Sequence, residues 1–265
     1  MKNIKYIWLF LFIGIASFKM SAQKRMIEAG ITVGYGFPAG TATYTSSSIS
    51  GNFFNQSVAS YSLGSGINIG LNGTYFFNDH IGAGLNIHYL AGAPSGYTYQ
   101  SPGPVGGPPS IINNHVTNSA VLMAAVPYMM FIIPIGKISP YGKFGIDVYS
   151  ATITSKLTQD GNDAAGGTFI ETYTGNVGLG YYCGLGVQYA LSDKISLDAE
   201  LFDRIMSFSP FRGVNTQAFD GDQKEQDVTY VQTLNHYTPN TFLATDYPFS
   251  SAGIMVGISM KFGVE

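Results

Sequence analysis

Seven ionisable residues share a placement in this sequence that could support chemistry. Glu28, Lys143, Asp147, Asp198, Glu200, Arg204 and Lys261 each fall on the small, polar side of a segment that alternates with period two. Charges enclosed behind such a side need partners, because an unpaired charge taken out of water is heavily penalised. The expected arrangement is an ion-pair network. Glu28 lies near the start of the first alternating segment and Lys261 near the end of the last, so they meet if those segments pair. Lys143 and Arg204 are then left to balance Asp147, Asp198 and Glu200.

Other reactive groups form no comparable set. His80, His88, His115 and His236 fall in a turn, a strand and two loops, with no metal-ligand spacing among them. Asp160-Gly161-Asn162-Asp163 and the segment from Asp220 to Asp227 could offer carboxylate oxygens to calcium. Neither has the spacing of an EF-hand loop, so both are read as solvated loop tips. Scattered serines, histidines and acids make no triad, and neither an enzyme nor a cofactor is expected. Cys183 is the single cysteine, which excludes an intramolecular disulfide; on an apolar strand face it is expected to be a buried, inert thiol. A net charge of −3 gives no reason to expect nucleic acid as a partner.

The elements that must position these charges are strands. Ile27, Ala29, Ile31, Val33, Tyr35 and Phe37 share one side, with Glu28, Gly30, Thr32, Gly34 and Gly36 on the other. The second segment sets Leu63, Ile67, Ile69, Leu71, Tyr75 and Phe77 against Asn68, Asn72, Thr74 and glycines. The third sets Leu85, Ile87 and Tyr89 against Asn86 and His88. A fourth strand, about 119–133, is apolar on both sides and leaves its register open. The fifth carries Phe144, Ile146 and Val148 opposite Lys143, Asp147 and Tyr149. The sixth runs from Val177 to Tyr189, with Tyr182 and Gln188 on its polar side. The seventh sets Leu197 and Leu201 against Asp198, Glu200, Phe202 and Arg204, and the eighth sets Ile254, Val256 and Ile258 against Met255, Ser259 and Lys261. Long connections, about 38–60, 91–118, 151–170 and 207–250, alternate with short ones near 78–80, 134–139 and 190–194.

Composition decides which side faces what. Charged residues make up 11% of the chain, against roughly 25% in typical globular domains. No internal run supplies the roughly 20 consecutive apolar residues of a spanning helix; the longest, around Ala120 to Ile135, is broken by Pro127 and Pro134. A soluble lipocalin-type barrel would carry Lys and Glu on its outer side, whereas here the second side is mostly Gly, Ser, Thr and Asn. The expected fold is therefore all-β: a transmembrane antiparallel up-and-down barrel of eight strands, apolar side to lipid, with long extracellular loops. Tyr35, Phe37, Tyr75, Phe77, Tyr89, Tyr149, Tyr189 and Phe262 are expected to form its interfacial girdles. At the N-terminus Lys2 and Lys5 precede the apolar stretch from Tyr6 to Phe18, and Met20-Ser21-Ala22-Gln23 offers a cut after Ala22. Residues 1–22 read as a signal peptide and 23–265 as the barrel, exported to a bacterial outer membrane.

The leader, the glycine-alternating strands, the turn from Asn78 to Gly82, the stretch from Val126-Pro127-Tyr128 to Ser139-Pro140-Tyr141-Gly142 and the closing Gly257-Ile258-Ser259-Met260-Lys261-Phe262 resemble the outer-membrane protein β-barrel domain family of small Bacteroidota barrels. That family is related in architecture to the OmpA, OmpX and OmpW barrels. The resemblance implies outer-membrane lipids and lipopolysaccharide as surroundings and the barrel-assembly machinery as a partner. The terminal aromatic that this machinery reads is displaced, since Phe262 is followed by Gly263, Val264 and Glu265. No peptidoglycan-binding domain is expected after the last strand. Outer-membrane enzymes fit poorly: no histidine stands in a His-x-Ser pair, and Asp220, Asp222 and His236 share a loop without a defined geometry. Two roles stay open. One is a structural or surface-interaction barrel with a plugged lumen, whose loops, among them the irregular, exposed loop from Pro94 to Pro109 with Tyr97 and Tyr99 and the strand-like run from Asp227 to Thr233, meet any extracellular ligand. The other is a narrow OmpW-like porin or transporter for small or hydrophobic solutes.

Overall fold

A computed structural model of the protein describes residues 25–40, 42–50, 53–102, 111–160, 167–219, 222–231, 241–243 and 246–264. The leader with its cut after Ala22, the Gly161-Asn162-Asp163 tip, Asp220 and His236 lie outside the described residues. Eight strands close into a ring: β1 (Arg25–Pro38), β2 (Gly66–Phe76), β3 (Ile81–Gly92), β4 (Ile111–Ile132), β5 (Ile138–Asp160), β6 (Gly178–Ala190), β7 (Ile195–Ile205) and β8 (Ser251–Val264). Each pairs antiparallel with its chain neighbour, and β8 pairs with β1 from Arg25↔Val264 to Pro38↔Ser251. Closure joins the first strand to the last, as hydrocarbon surroundings require of a spanning wall.

The period-two pattern dictates the two faces. Ile31, Leu71, Ile87, Phe144, Leu179, Leu201 and Val256 stand on the outer surface, while Glu28, Asn68, His88, Asp147, Tyr182, Arg204 and Met255 are buried inside. The fourth strand, ambiguous in sequence, resolves by pairing: Val121, Met123, Met129 and Phe131 point out, and Leu122, Val126, Tyr128 and Met130 point in. Pro127 sits at an outward position of β4, where its missing N–H coincides with an interruption of the β4–β5 ladder between Ala125↔Val148 and Tyr128↔Gly145. Tyr35 and Phe37 form an edge-to-face pair near one end of β1, and Tyr75 and Phe77 a second pair at the other end of the wall, with centroid separations of 5.2 and 5.4 Å.

Four expectations need correction. Tyr149 is not a girdle residue; it lies on the lumen face of β5 and is buried. Leu63 is not on the outer face of β2, because the chain turns before that strand begins and tucks the side chain fully inside. Cys183 does face the apolar side of β6, but on the outer surface it is exposed to the surroundings of the barrel rather than buried in protein. The loop from Pro94 to Pro109 is not irregular throughout. β4 and β5 run 22 and 23 residues, well beyond the roughly 9–11 that cross a membrane. Their extensions found a sheet beyond the wall: Ser95–Pro102 pairs with β4, Thr168–Gly175 with β5, and Pro210–Phe219 then Asp222–Val231 continue outward, the last meeting Thr241–Leu243 in parallel. Asp222 and Asp227 of the acidic run fall within one of these strands. The segment from Pro94 to Pro109, read as irregular, holds one such strand because Tyr97, Thr98 and Tyr99 alternate opposite Val116, His115 and Asn114. A hairpin of Ala42–Ser50 and Phe53–Tyr61 completes the described loops.

Candidate functional site in the barrel lumen

The lumen is built in levels, starting at the end that carries the short turns. There Glu28 of β1 stands directly opposite Lys261 of β8, with Lys261 Nζ 4.0 Å from Glu28 Oε2. Gln188 of β6 reaches across and donates to Glu28 Oε1 at 2.5 Å. Asp198 is half-buried at the same level, beside Gln188 and Ser259. Phe76, Tyr128, Met130, Ile132 and Tyr141 pack as an apolar layer on the other side of this end.

One level further in, Glu200 is the hub. Its Oε2 accepts from Lys143 Nζ at 2.7 Å and from Tyr141 OH at 2.9 Å, and its Oε1 accepts from Tyr182 OH. Lys143 also lies over the rings of Tyr141 and Tyr128, at 4.8 and 5.4 Å from their centroids. The Tyr128 hydroxyl in turn meets Thr74 Oγ1 at 2.6 Å. A charge-assisted, multiply bonded carboxylate of this kind is the arrangement that makes burying Lys143 tolerable.

Higher still lie Arg204, Asp147 and His88, all fully enclosed. Arg204 donates to Asn68 Oδ1 at 2.7 Å and stacks beside Phe202 and Tyr182. Neither oxygen of Asp147 has a hydrogen-bond partner; His88 Nε2 approaches Oδ1 no closer than 3.7 Å. Above this level the lumen turns apolar. Leu63, Leu90, Leu122, Ile153, Met206, Phe208 and Phe249 form one cluster, with Tyr149 and Tyr173 at its margin.

At this apolar level the wall itself is interrupted. The β6–β7 ladder ends at Tyr181↔Ile205, and pairing resumes only at Pro210↔Gly175 between the extensions of these strands. Tyr149 closes the interval from inside: its hydroxyl donates to the Ser207 carbonyl and accepts from the Ser207 N–H at 3.2 Å. Its ring crosses Gly178, where a Cβ would come within 2.5 Å of it. On the outside a depression of about 690 Å³ spans β1, β8, β7 and β6, and one of about 500 Å³ lies over the interruption, lined by Leu179, Tyr181, Ile205, Met206 and Asp246.

The structure brings Glu28 to Lys261 and Lys143 to Glu200, whereas Arg204 turns to Asn68 and Asp147 faces His88. Sequence reasoning passed over His88, Asn68, Gln188 and Tyr141 as members of this set. His88, Asn68 and Gln188 already stood on the polar side of their strands, and that shared side was the available signal. Among the described residues no group of three or more His, Cys, Asp or Glu side chains is placed to hold a metal ion.

A closed antiparallel ring with an apolar outside, short turns at one end and long strands at the other defines the chain as an outer-membrane β-barrel. It belongs to the outer membrane protein beta-barrel domain family, whose model matches residues 10–223. No curated protein matches the chain. Among solved structures it is similar to the outer membrane protein OprG from Pseudomonas aeruginosa, at 13% identity and a TM-score of 0.45, covering 91% of this chain and 97% of that one. It is also similar to a major outer membrane protein from Thermus thermophilus, at 12% identity and a TM-score of 0.41, covering 89% and 99%. Neisserial surface protein A gives 12% identity and a TM-score of 0.36, covering 90% and 97%. These likenesses carry no functional assignment. In such barrels the short-turn end faces the periplasm and the long-strand end the exterior.

Proposed function

We propose that this protein is an exported barrel of the Bacteroidota type, its leader removed after Ala22, that acts as a structural or surface-interaction element with a closed lumen. One observation carries this reading: side chains from all eight strands are buried inside the ring, from Glu28 at the periplasmic end to Phe249 at the outer one. An eight-stranded interior is just wide enough to be filled in this way. Lipids and lipopolysaccharide surround the apolar belt, the barrel-assembly machinery inserts the chain, and the sheet beyond the wall meets any extracellular ligand. Nucleic acid has no place in this reading. The test is single-channel conductance of the refolded, leader-free protein in a planar bilayer. The expected record is silent, and discrete reproducible steps would overturn closure.

A second reading, transport of a small or hydrophobic solute, is favoured by the interrupted wall between β6 and β7, where the outer depression adjoins the apolar cluster behind Tyr149. Uptake of such a solute into liposomes, faster for Tyr149→Phe than for the unmodified chain, would move this reading ahead of the first.

A further inference from the structure

One arc of the lumen differs from the rest. Across β7, β8, β1, β2 and β3 the register aligns Ser196, Ser259, Gly30, Asn72 and Asn86 as successive cross-strand neighbours on the inner face. The next row outward aligns Asp198, Gly257, Thr32, Gly70 and His88. In these rows Ser196 Oγ, Asn72 Oδ1, Asn86 Oδ1 and Thr32 Oγ1 are buried without any hydrogen-bond partner, as are both nitrogens of His88. The same holds for both oxygens of Asp147. Folded proteins leave few buried polar atoms unsatisfied, and where protein partners are lacking ordered water takes their place.

The glycines let these polar side chains close in on the wall. At Gly70 the point a Cβ would occupy lies 2.6 Å from Thr32 Oγ1 and 3.0 Å from Asn86 Oδ1. At Gly30 the corresponding point lies 2.6 Å from Asn72 Oδ1 and 3.0 Å from the Ser259 Cβ. Each glycine therefore leaves bare backbone over which neighbouring polar side chains fold. The arc has an entrance and a stop. Toward the periplasm it leads to Lys261, one-fifth exposed, which lines a mouth cavity of about 320 Å³ together with Met26, Asp79 and Lys194. Toward the exterior it ends at Asp147 and His88, beneath the apolar cluster of Leu90, Leu122 and Phe249.

We infer that the barrel contains a hydrated half-channel, open to the periplasm and blind at its outer end, which admits water and small cations as far as Asp147. The inference rests on the closed-lumen reading and divides the lumen into a wet polar arc and a dry apolar cap. Its cation preference follows from the carboxylates of Asp198 in the second row and Asp147 at its end, with the amide oxygens of Asn72 and Asn86 between them.

The test is thiol accessibility in oriented proteoliposomes, on a Cys183→Ala background that removes the exposed native thiol. Asn72→Cys is expected to react with a small cationic methanethiosulfonate added on the periplasmic side, roughly tenfold faster than with an anionic one of similar size. Leu122→Cys, in the cap, is expected to stay unreactive from either side, and Lys261→Cys reports that the mouth is reachable. An unreactive Asn72→Cys beside a reactive Lys261→Cys, in a protein that does not conduct, overturns the half-channel and leaves the closed lumen standing. Equal reaction of Asn72→Cys from the loop side overturns the blind end. Conduction by the unmodified chain overturns both readings. Ser259→Cys, in the same row on β8, repeats the measurement if the asparagine variant does not insert.

Discussion

The periplasmic and outer halves of the lumen share one wall and one alternation, yet they are filled by opposite chemistry. Near the short turns the inward side chains are Glu28, Lys143, Glu200, Gln188 and Lys261, tied by hydrogen bonds and ion pairs. Near the long strands they are Leu63, Leu90, Leu122, Ile153, Phe208 and Phe249, with no charge among them. The outer surface shows no such division: Ile27 and Phe262 toward the periplasmic end, and Phe37 and Leu179 toward the other, are all apolar and exposed. The bilayer imposes one requirement on the outward positions it covers, with Asp203 of β7 an exposed exception near the outer end, whereas the inward positions answer only to one another. Specialisation in a small barrel therefore accumulates inside the wall and in the strands that rise above it.

The sharpest way to break this contrast is to remove the hub of the polar half. Glu200→Ala leaves Lys143 enclosed with its carboxylate gone, and the expected loss is about 3–5 kcal/mol in denaturant unfolding of the refolded protein. The paired change Lys143→Met with Glu200→Leu should recover most of that loss, because it removes the charge together with its partner. If the pair is as unstable as the single variant, shape and not charge governs the polar half. In the apolar half Leu122→Ala should cost about 3 kcal/mol through lost burial and a residual cavity. That loss should not respond to salt or to any polar replacement elsewhere in the lumen.

Much of this architecture was legible in the alternation itself. Ile27 through Phe37 and Val177 through Tyr189 could be assigned face by face, since one side is apolar and the other nearly all small or polar. The juxtaposition of Glu28 and Lys261 followed from closure alone. The register of β4 was not legible, because Leu122, Ala124 and Val126 face a lumen as apolar as the lipid outside, so both sides of the strand read alike. Tyr149 misled for a related reason: an aromatic near a strand end looks the same whether it anchors at the interface or turns inward. Its role depends on the break between β6 and β7, which pairing reveals and periodicity does not. His88 and Asn68 sat on the polar side in plain view, but an uncharged residue there gives no sign of whether it meets Arg204, Asp147 or water.

The boundary between the halves is set partly by Tyr149. Tyr149→Phe keeps the ring across Gly178 but strips both the Ser207 N–H and the Ser207 carbonyl of their partner. The expected cost is about 0.5–1.5 kcal/mol, the net worth of such hydrogen bonds, because Ser207 itself is exposed. Hydrogen exchange should rise at Ser207 and Phe208 while the β7–β8 ladder stays protected. An unchanged exchange pattern would mean that the strand extensions, not the tyrosine, hold the interval closed.

The smallest effect is expected at the mouth, where the polar half meets water. Glu28 and Lys261 are held at 4.0 Å, and Lys261 is one-fifth exposed, so solvent screens the pair and the entropy of holding a long side chain offsets part of the attraction. Glu28→Gln should therefore cost no more than about 1 kcal/mol, and raising the salt from low ionic strength to about 1 M should erase most of it, since screening then acts within roughly 3 Å. Glu200→Gln, inside the same half but shielded by Tyr141 and Tyr182, should keep its loss at high salt. Equal salt sensitivity at the two positions would mean that bulk electrolyte reaches Glu200. The hub would then belong to the wet arc and not be walled off from it by the two tyrosines.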